Sequence, residues 1–246
     1  MKRFLDLLVS LGGLILLSPI LFGFMFLIWR EDYCAPLYIA KRVGLNGCEF
    51  NMVKLRSMVK NADKSGVDST SSDDMRITKV GHIIRRFKLD ELMQLWNVLL
   101  GDMSLVGPRP NVRCETDLYT NLEKKLLSVK PGITDMSSIV FSDEGDILAG
   151  KNDPDISYHQ LIRPGKSKLG LFYISHRSLL LDVFLVFLTV LAIFSKSKAL
   201  SLLTSKMRDL NASEQLISIA SRVQELIPSA PPGSENIVTS RDGTVH

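Results

Sequence analysis

Apolar positions divide the chain into two long apolar runs and a mixed region between them. The first run covers residues 7–29 and the second covers 178–194. Between them, apolar residues recur at helical spacing from Leu89 to Leu100, and Gly101 with Asp102 ends that pattern. Further helices are predicted over 115–129, 169–178 and 213–227. Two strands, 36–44 and 49–58, are predicted around a turn at Gly47, which makes the fold α/β and rich in helix.

Two polar segments interrupt these patterns. Residues 61–74 are rich in Ser and Asp, and residues 228–246 are rich in Pro, Gly and Ser. Both are poor in large apolar side chains that could be buried in a core. The first segment is predicted to be a surface loop and the second a disordered tail.

The first apolar run has basic flanks and a proline in its middle. Lys2 and Arg3 precede the run, and Arg30 follows it. A signal peptide, a transmembrane span and a kinked helix all fit a run of this length, although no small-residue cleavage site stands out at its end. Pro19 removes a backbone donor in mid-run, and Ser18 beside it can bond the carbonyl that is left free. Basic residues at both ends favour a return to the same cytoplasmic side, but a straight or kinked span fits the pattern equally well.

Charged residues are concentrated between positions 76 and 110. Basic residues come first, Asp90 and Glu91 follow, and Arg109 stands between two prolines. The simpler interpretation is structural, because acids in a first helical turn complement the helix dipole by about 0.3–1 kcal/mol each. The functional interpretation is a nucleophilic carboxylate held ionised by cations, with a second carboxylate that binds metal or moves a proton. Arg109 is either a surface arginine in a turn or a preorganised phosphate clamp.

Composition narrows the class of protein. The 246 residues suffice for one domain with a sizeable core. A net charge of +4 and a pI of about 8.9 suit an anionic membrane surface or phosphate ligands. Basic residues do not alternate with aromatic ones, so no nucleic-acid partner is predicted. The three cysteines and four histidines lack metal-ligand spacing, which argues for a reducing compartment and against a zinc site.

The stretch from Lys88 to Pro110 resembles the core signature of the bacterial sugar transferases. Its sequence is KLDELMQLWNVLLGDMSLVGPRP. These are small monotopic phosphoglycosyl transferases that begin lipid-linked glycan assembly. The segments KLRS (54–57) and PGIT (131–134) agree with the same family in the same order. Two positions depart from the pattern, since Lys88 stands where the family usually has Ser and Met93 where it usually has Pro.

The resemblance implies a reaction in two steps. A nucleotide diphospho-sugar, of the UDP-sugar type, transfers its phospho-sugar to Asp90, and a nucleoside monophosphate leaves. Polyprenyl (undecaprenyl) phosphate then displaces the covalent aspartyl intermediate in the first membrane step of glycan assembly. Glu91 assists proton transfer or binds Mg²⁺ together with Asp90. The residues implied to contact phosphate are Lys54, Arg56, Arg85 and Arg109.

The resemblance also implies a membrane arrangement. Residues 1–30 would form a re-entrant helix that breaks at Ser18 and Pro19, with Lys2 and Arg3 on phospholipid headgroups. Residues 31–205 would form the catalytic domain on the cytoplasmic face of the bacterial inner membrane, including an interfacial amphipathic helix at 178–194. Residues 206–246 would form a partly disordered tail. The second apolar run is unusually apolar for an interfacial helix, so deeper insertion stays open, as does a homo-oligomer.

Two other functions fit the same sequence. A non-enzymatic membrane scaffold would use its basic patches to hold anionic lipid or a partner glycosyltransferase, but it would not need Asp90 and Glu91 beside fixed cations. A hydrolase of sugar nucleotides would release its product without a lipid acceptor. After Thr134 the family pattern is lost over residues 135–148, so the identity of the sugar is not predicted.

Overall fold

The computed structural model describes residues 1–62 and 74–240. The predicted loop 61–74 lies mostly outside these residues. The α-helices are α1 (Lys2–Asp32), α2 (Lys79–Arg86), α3 (Gln94–Leu100), α4 (Arg113–Asp117), α5 (Met136–Val140), α6 (Glu144–Leu148), α7 (Pro154–Ser157), α8 (Arg163–His176), α9 (Leu179–Phe194), α10 (Lys196–Asp209) and α11 (Glu214–Ser221). The strands are β1 (Leu37–Val43), β2 (Glu49–Leu55), β3 (Ser104–Val106) and β4 (Gly132–Thr134). The helix-rich fold with a small sheet content is as predicted.

Helix α1 is one continuous element that contains Pro19. Proline cannot donate to the carbonyl of Ile15, and the Ser18 hydroxyl donates to that carbonyl instead, at 2.8 Å. Within the described residues, α1 is the one helix both long enough and apolar enough to cross a membrane. Large apolar side chains remain exposed along it, among them Phe4, Leu8, Leu16 and Phe22. This exposed apolar surface indicates that the chain associates with a membrane.

The two small sheets hold the polar end of the molecule together. β1 and β2 are antiparallel, with Leu37 opposite Leu55 and Val43 opposite Glu49. The predicted turn between them is a 3₁₀ segment in which Gly47 has a φ of 77°. β3 and β4 are parallel, with Ser104 opposite Gly132. The hairpin prediction is therefore confirmed, whereas the parallel pair was not foreseen.

A close approach of two backbones follows β3. A Cβ added to Gly132 would lie 2.0 Å from the Gly107 nitrogen, and one added to Gly107 would lie 2.4 Å from the Lys130 carbonyl oxygen. Glycine is therefore required at both positions. The crossing fixes the start of the Pro108–Pro110 turn, and Arg109 extends from that turn.

The prediction of a single helix over 115–129 is wrong. The segment forms α4 and a separate 3₁₀ helix, Glu123–Ser128. The Glu123 amide donates to the Thr120 hydroxyl at 3.1 Å, and the Thr120 amide donates to the Glu123 carboxylate at 3.0 Å. This reciprocal capping box closes the turn 120–123, which leads into the 3₁₀ helix. Its Thr-x-x-Glu spacing is visible in the sequence.

The C-terminal helices complete the main core. The second apolar run forms α9 as predicted, and its residues Leu181, Leu185 and Leu188 are buried in that core. Helix α8 begins at Arg163, earlier than expected, because Pro164 occupies a first-turn position where its missing amide costs nothing. Helix α10, which was not predicted, packs its Ala199, Leu203 and Met207 into the same core.

Candidate active site

The two candidate carboxylates lie on a short 3₁₀ helix, Leu89–Met93, which we call the carboxylate helix. Lys88 precedes it with a left-handed φ of 56°, and Asp90 and Glu91 occupy its first turn. Helix α3 follows directly and ends at Gly101, whose φ is 97°. The sequence-based placement of both acids in a first helical turn, before an apolar helix that ends at glycine, is thus confirmed.

The two carboxylates differ in their partners. Glu91 receives a hydrogen bond from Arg109, with 2.5 Å between Nη2 and Oε1. Within the described residues, the half-buried Asp90 carboxylate accepts no hydrogen bond. Arg109 is thereby oriented by Glu91, while Asp90 is left available to a ligand.

The pKa values of the two acids are shifted in opposite directions. Burial raises the pKa of Asp90, and the neighbouring Glu91 raises it further, against the opposing charges of Lys54, Arg109 and Arg85. For Glu91, burial is outweighed by Arg109 and Lys54, which lower its pKa to about 2. Glu91 is therefore a permanent anion. Asp90 is the member whose ionisation depends on the cations that surround it.

Lys54 reaches this site from β2. Burial, together with the repulsion of Arg109, lowers the pKa of Lys54 to about 8. Its strand is held against α3 by the buried Asn97, whose side chain accepts from the Val53 amide at 2.9 Å and donates to the Asn51 carbonyl at 2.7 Å. Asn97 thus sets the position of Lys54 relative to the carboxylate helix. Sequence reasoning missed it because its partners are backbone groups of a distant strand.

Arg85 approaches the same acids from α2. It donates to the Ser57 hydroxyl at 3.0 Å, and burial lowers its pKa against the attraction of Asp90. Helix α2 packs closely against the chain just after β2. A Cβ on Gly81 would lie only 2.0 Å from the Ser57 carbonyl oxygen, so glycine allows this approach. Five of the six predicted groups are therefore gathered in one place: Asp90, Glu91, Lys54, Arg85 and Arg109.

Three other predicted residues are engaged elsewhere. Arg56 pairs with Asp32 at the end of α1, through contacts of 2.5 and 2.6 Å, and also donates to the Ala35 carbonyl. Lys2 pairs with the buried Asp182 at 2.5 Å. Arg3 donates to the last carbonyls of α3, those of Val98 and Leu99. Their assignments to phosphate and to headgroups remain predictions, and these internal contacts compete with them.

A small, partly open cleft lies beside Arg109. Hydroxyl, amide and charged groups line it, including Asn111, Ser137, Tyr158 and Lys166. Lys166 is ion-paired with Glu144, and Lys88 donates to the Ser142 carbonyl at 3.2 Å. The segment that departs from the family pattern therefore lies near the site. Glu144 and Lys166 carried no motif that could have singled them out in the sequence.

The acids present suit a magnesium ion that is shared with a substrate. Among residues 1–62 and 74–240, no group of three or more His, Cys, Asp or Glu side chains is arranged to hold a metal ion without further ligands. Mg²⁺ typically binds through one or two carboxylates together with substrate phosphates, and the unbonded Asp90 beside Glu91 provides such a donor set.

Comparison with known proteins agrees with the sequence resemblance. The model of the bacterial sugar transferase family matches residues 1–196. A UDP-N-acetylgalactosamine-undecaprenyl-phosphate N-acetylgalactosaminephosphotransferase of Aeromonas hydrophila is 34% identical over 79% of this chain and 44% of its own length. A UDP-glucose:undecaprenyl-phosphate glucose-1-phosphate transferase of Klebsiella pneumoniae is 35% identical over 80% of this chain and 41% of its own.

A shorter relative is matched over most of its length. The exopolysaccharide production protein ExoY of Sinorhizobium fredii is 33% identical over 78% of this chain and 84% of its own length. The chain thus spans less than half of the two larger relatives and corresponds to the greater part of the smaller one. The matched residues 1–196 include the whole carboxylate helix and all the cations around it.

Proposed function

The chain belongs to the bacterial sugar transferase family, and we propose that it transfers a phospho-sugar from a nucleotide diphospho-sugar to polyprenyl phosphate. The observation that carries this proposal is the unbonded Asp90 carboxylate beside the Glu91–Arg109 pair. A scaffold for anionic lipid would need the cations but not this pair of acids. Relatives named for UDP-sugars and undecaprenyl phosphate support a donor and an acceptor of these kinds.

In the first step Asp90 acts as the nucleophile. A carboxylate oxygen attacks the phosphorus that bears the sugar. The bond from that phosphorus to the bridging oxygen of the diphosphate breaks. The nucleoside monophosphate leaves with the bonding electrons, and the sugar phosphate remains on Asp90 as an acyl phosphate. Arg109, Lys54 and Arg85 neutralise the charge that develops on the phosphate oxygens.

In the second step an oxygen of polyprenyl phosphate attacks the same phosphorus. The bond to Asp90 breaks, its carboxylate is restored, and the product is a polyprenyl diphospho-sugar. Glu91 keeps Arg109 aimed at the phosphates through both steps. A bound Mg²⁺, held by Asp90 and Glu91, would supply further charge neutralisation on the diphosphate. Two successive steps let a soluble and a lipid substrate use one site in turn.

Product analysis tests the reaction class. The purified chain is incubated in lipid nanodiscs with Mg²⁺ and a panel of nucleotide sugars, with or without polyprenyl phosphate. We expect nucleoside monophosphate in amounts that follow the sugar recovered in the lipid extract. Release without lipid acceptor would indicate a hydrolase, and no release from any donor would favour the scaffold.

Mass spectrometry tests the covalent step separately. Donor is supplied without lipid acceptor, and the protein is digested at low pH. We expect a peptide containing Asp90 that is heavier by one phospho-sugar, and no such peptide from Asp90→Asn. Transfer to lipid in the absence of any adduct under these conditions would favour direct displacement by polyprenyl phosphate.

We further propose that α1 is re-entrant and leaves both of its ends on the cytoplasmic side. The globular part of the chain contacts both ends of this helix. Near the start, Asp6 accepts from the Ser104 hydroxyl at 3.0 Å, and at the far end Asp32 pairs with Arg56. A helix that crossed the bilayer would place one of these contacts on the opposite side, which supports a shallow insertion.

Cysteine labelling tests this topology. A cysteine added before Met1, with the native cysteines changed to serine, is labelled in intact and in permeabilised cells by an impermeant reagent. We expect labelling only after permeabilisation. Changing Ser18 to Ala and Pro19 to Leu restores the missing backbone hydrogen bond and allows a straight helix. About 26 residues at ~1.5 Å each make that helix longer than the ~30 Å hydrocarbon core of a bilayer. This double variant should span and become labelled in intact cells; labelling of the unmodified helix there would refute the re-entrant topology.

A further inference from the structure

Four consecutive residues, 141–144, are each held by a different part of the molecule. The Arg222 guanidinium lies 5.4 Å from the centre of the Phe141 ring. The Ser142 carbonyl accepts from Lys88, next to the carboxylate helix. Asp143 pairs with Lys196 at 2.6 Å, and Glu144 pairs with Lys166. We call residues 141–144 the bridge segment.

One side of the bridge segment faces the candidate active site. Lys88 immediately precedes the carboxylate helix, and Lys166 lines the same cleft as Arg109. The negative charge of Glu144 also contributes to the raised pKa of Arg109. Any shift of the bridge segment would therefore move groups on two sides of the Glu91–Arg109 pair.

The other side of the bridge segment is held from outside the family match, which ends at residue 196. Arg222 follows α11 and reaches Asp143 with its Nη2, 3.3 Å from Oδ2. The Phe141 ring and Ile219 of α11 both pack against Gly165 of α8, where a Cβ would lie 2.6 Å from the ring. Helices α8 and α11 thus enclose the ring on which Arg222 rests.

The contact between Arg222 and Asp143 is not arranged in a way that stabilises the fold. Arg222 has a left-handed φ of 55°, a backbone conformation that is unfavourable for a non-glycine residue. Within the described residues, Arg222 Nη1 and Asp143 Oδ1 are buried without hydrogen-bond partners. Buried unsatisfied groups are costly, so net stabilisation does not explain why this arginine is placed here.

We propose that Arg222 is a positioning residue for the active site, acting through the bridge segment to hold Glu144, Lys166 and Lys88 beside Arg109. The proposal rests on the proposed transferase function. It assigns a role in catalysis to the C-terminal helices that lie beyond the family match. Arg222 itself does not touch substrate.

The test is a double-mutant cycle on kcat/KM for the donor, with Arg222→Gln, Glu144→Gln and the double variant. Each single change should lower kcat/KM by roughly ten-fold, in the range found for coupled positions, and the double variant should be no worse than Glu144→Gln alone. Arg222→Lys keeps the ion pair with Asp143 and should recover part of the loss. Additive losses, or an unchanged rate in Arg222→Gln, would overturn the proposal.

Two controls separate this proposal from the proposed function and from simple destabilisation. Arg208→Gln removes another arginine outside the family match, one that is exposed at the end of α10, and should leave kcat/KM unchanged. Amide hydrogen exchange in residues 141–148 should accelerate in Arg222→Gln and not in Arg208→Gln, whether or not the chain is a transferase. Unchanged exchange in Arg222→Gln would refute the positioning role of Arg222, whereas inactivity of the unmodified chain would refute only the proposed function.

Discussion

Two clusters in this chain are each built around an arginine–glutamate pair but differ in how completely they are bonded. The open cluster consists of Lys54, Asp90, Glu91 and Arg109. The closed cluster consists of Glu123, His159, Arg163 and Ser167. The difference separates a site prepared for a ligand from a device that stabilises the fold.

In the closed cluster each charged group has several partners. Arg163 donates to both Glu123 oxygens, at 3.2 and 2.8 Å, and to the Leu118 carbonyl at 2.7 Å. The Ser167 hydroxyl donates to Glu123 at 2.7 Å. Glu123 is fully buried, and hydrogen bonds from Arg163 and Ser167 satisfy both of its carboxylate oxygens. Such a network fixes the helices that carry it and has no capacity for a ligand.

In the open cluster a single hydrogen bond joins Arg109 to Glu91, and within the described residues Asp90 accepts none. Burial, together with the repulsion of Arg109, lowers the pKa of Lys54. Cations held close together with few hydrogen bonds do not stabilise the fold. Phosphate groups of a bound substrate would relieve the repulsion between them. Incomplete bonding around perturbed groups is the feature that marks the functional site.

Among the substitutions in the two clusters, Asp90→Asn should have the largest effect on turnover. This change keeps the size of the side chain and removes the nucleophile, so turnover should fall on the order of 10³-fold or more. The melting temperature should change little, because no hydrogen bond to Asp90 is lost. Rates of phospho-sugar transfer and thermal melting of the same purified sample check both statements. Near-normal turnover in the Asn variant would exclude Asp90 as the nucleophile.

Glu123→Gln should give the opposite result. It leaves the Arg163 charge buried without its counter-ion, which should cost about 3 kcal/mol of unfolding free energy. At about 2–4 °C per kcal/mol, the melting temperature should drop by roughly 6–12 °C. Activity per folded molecule at low temperature should stay close to that of the unmodified chain. A variant that melts normally but has lost activity would place Glu123 in the functional machinery.

The sequence alone predicted the open cluster better than the closed one. Asp90, Glu91 and Arg109 lie within 20 positions of each other, in a stretch whose residue order resembles a known family. The closed cluster joins Glu123 to Arg163 across 40 positions, and each looked like an ordinary surface charge on a predicted helix or loop. A contact between residues that are far apart in the sequence produces no local pattern from which it could be predicted.

Arg56 shows a contact that its motif did not indicate. It belongs to the KLRS segment that the resemblance assigned to phosphate, yet its guanidinium is fully occupied by Asp32 and the Ala35 carbonyl at the end of α1. A motif shows which residues recur together but not which partners each side chain meets in the fold. Lys54, two residues earlier on β2, is the one whose charge acts on Asp90.

The same substitution in both clusters sharpens the contrast further. Arg109→Lys keeps the charge but loses the planar two-point contact with phosphate, so kcat/KM for the donor should fall roughly 10–100-fold with little change in stability. Arg163→Lys should instead cost about 1.5–3 kcal/mol of unfolding free energy with little change in kcat/KM, because it loses charge-assisted hydrogen bonds. Equal behaviour of the two variants in both assays would remove the distinction between the clusters.

A smaller effect is expected from alkaline pH on the open cluster. Lys54 has a pKa of about 8 and binds phosphate only as a cation, so kcat/KM should decline as pH rises through 8, by at most ten-fold per unit. Burial raises the pKa of Tyr119 and of Tyr158, so these phenols do not titrate in that range. Lys54→Arg should extend activity to higher pH. A pH profile that is unchanged in the Arg variant would assign the decline to another group.

The smallest effect is expected from mild acid on the closed cluster, and it appears in stability rather than in rate. His159 is buried, and burial together with the adjacent Arg163 lowers its pKa. Between the ordinary histidine pKa of about 6.5 and the lowered value, His159 is protonated in the unfolded chain and neutral in the folded chain. The free energy of unfolding should therefore decrease as pH falls below about 6.5. The change is at most about 1.4 kcal/mol per pH unit for one proton. Urea unfolding between pH 5 and 8 measures the slope, which should flatten in His159→Gln and persist in His82→Gln, where an exposed histidine is removed. An equal slope in the unmodified chain and in His159→Gln would mean that the closed cluster accommodates the charged ring, and that its bonding is less complete than its distances indicate.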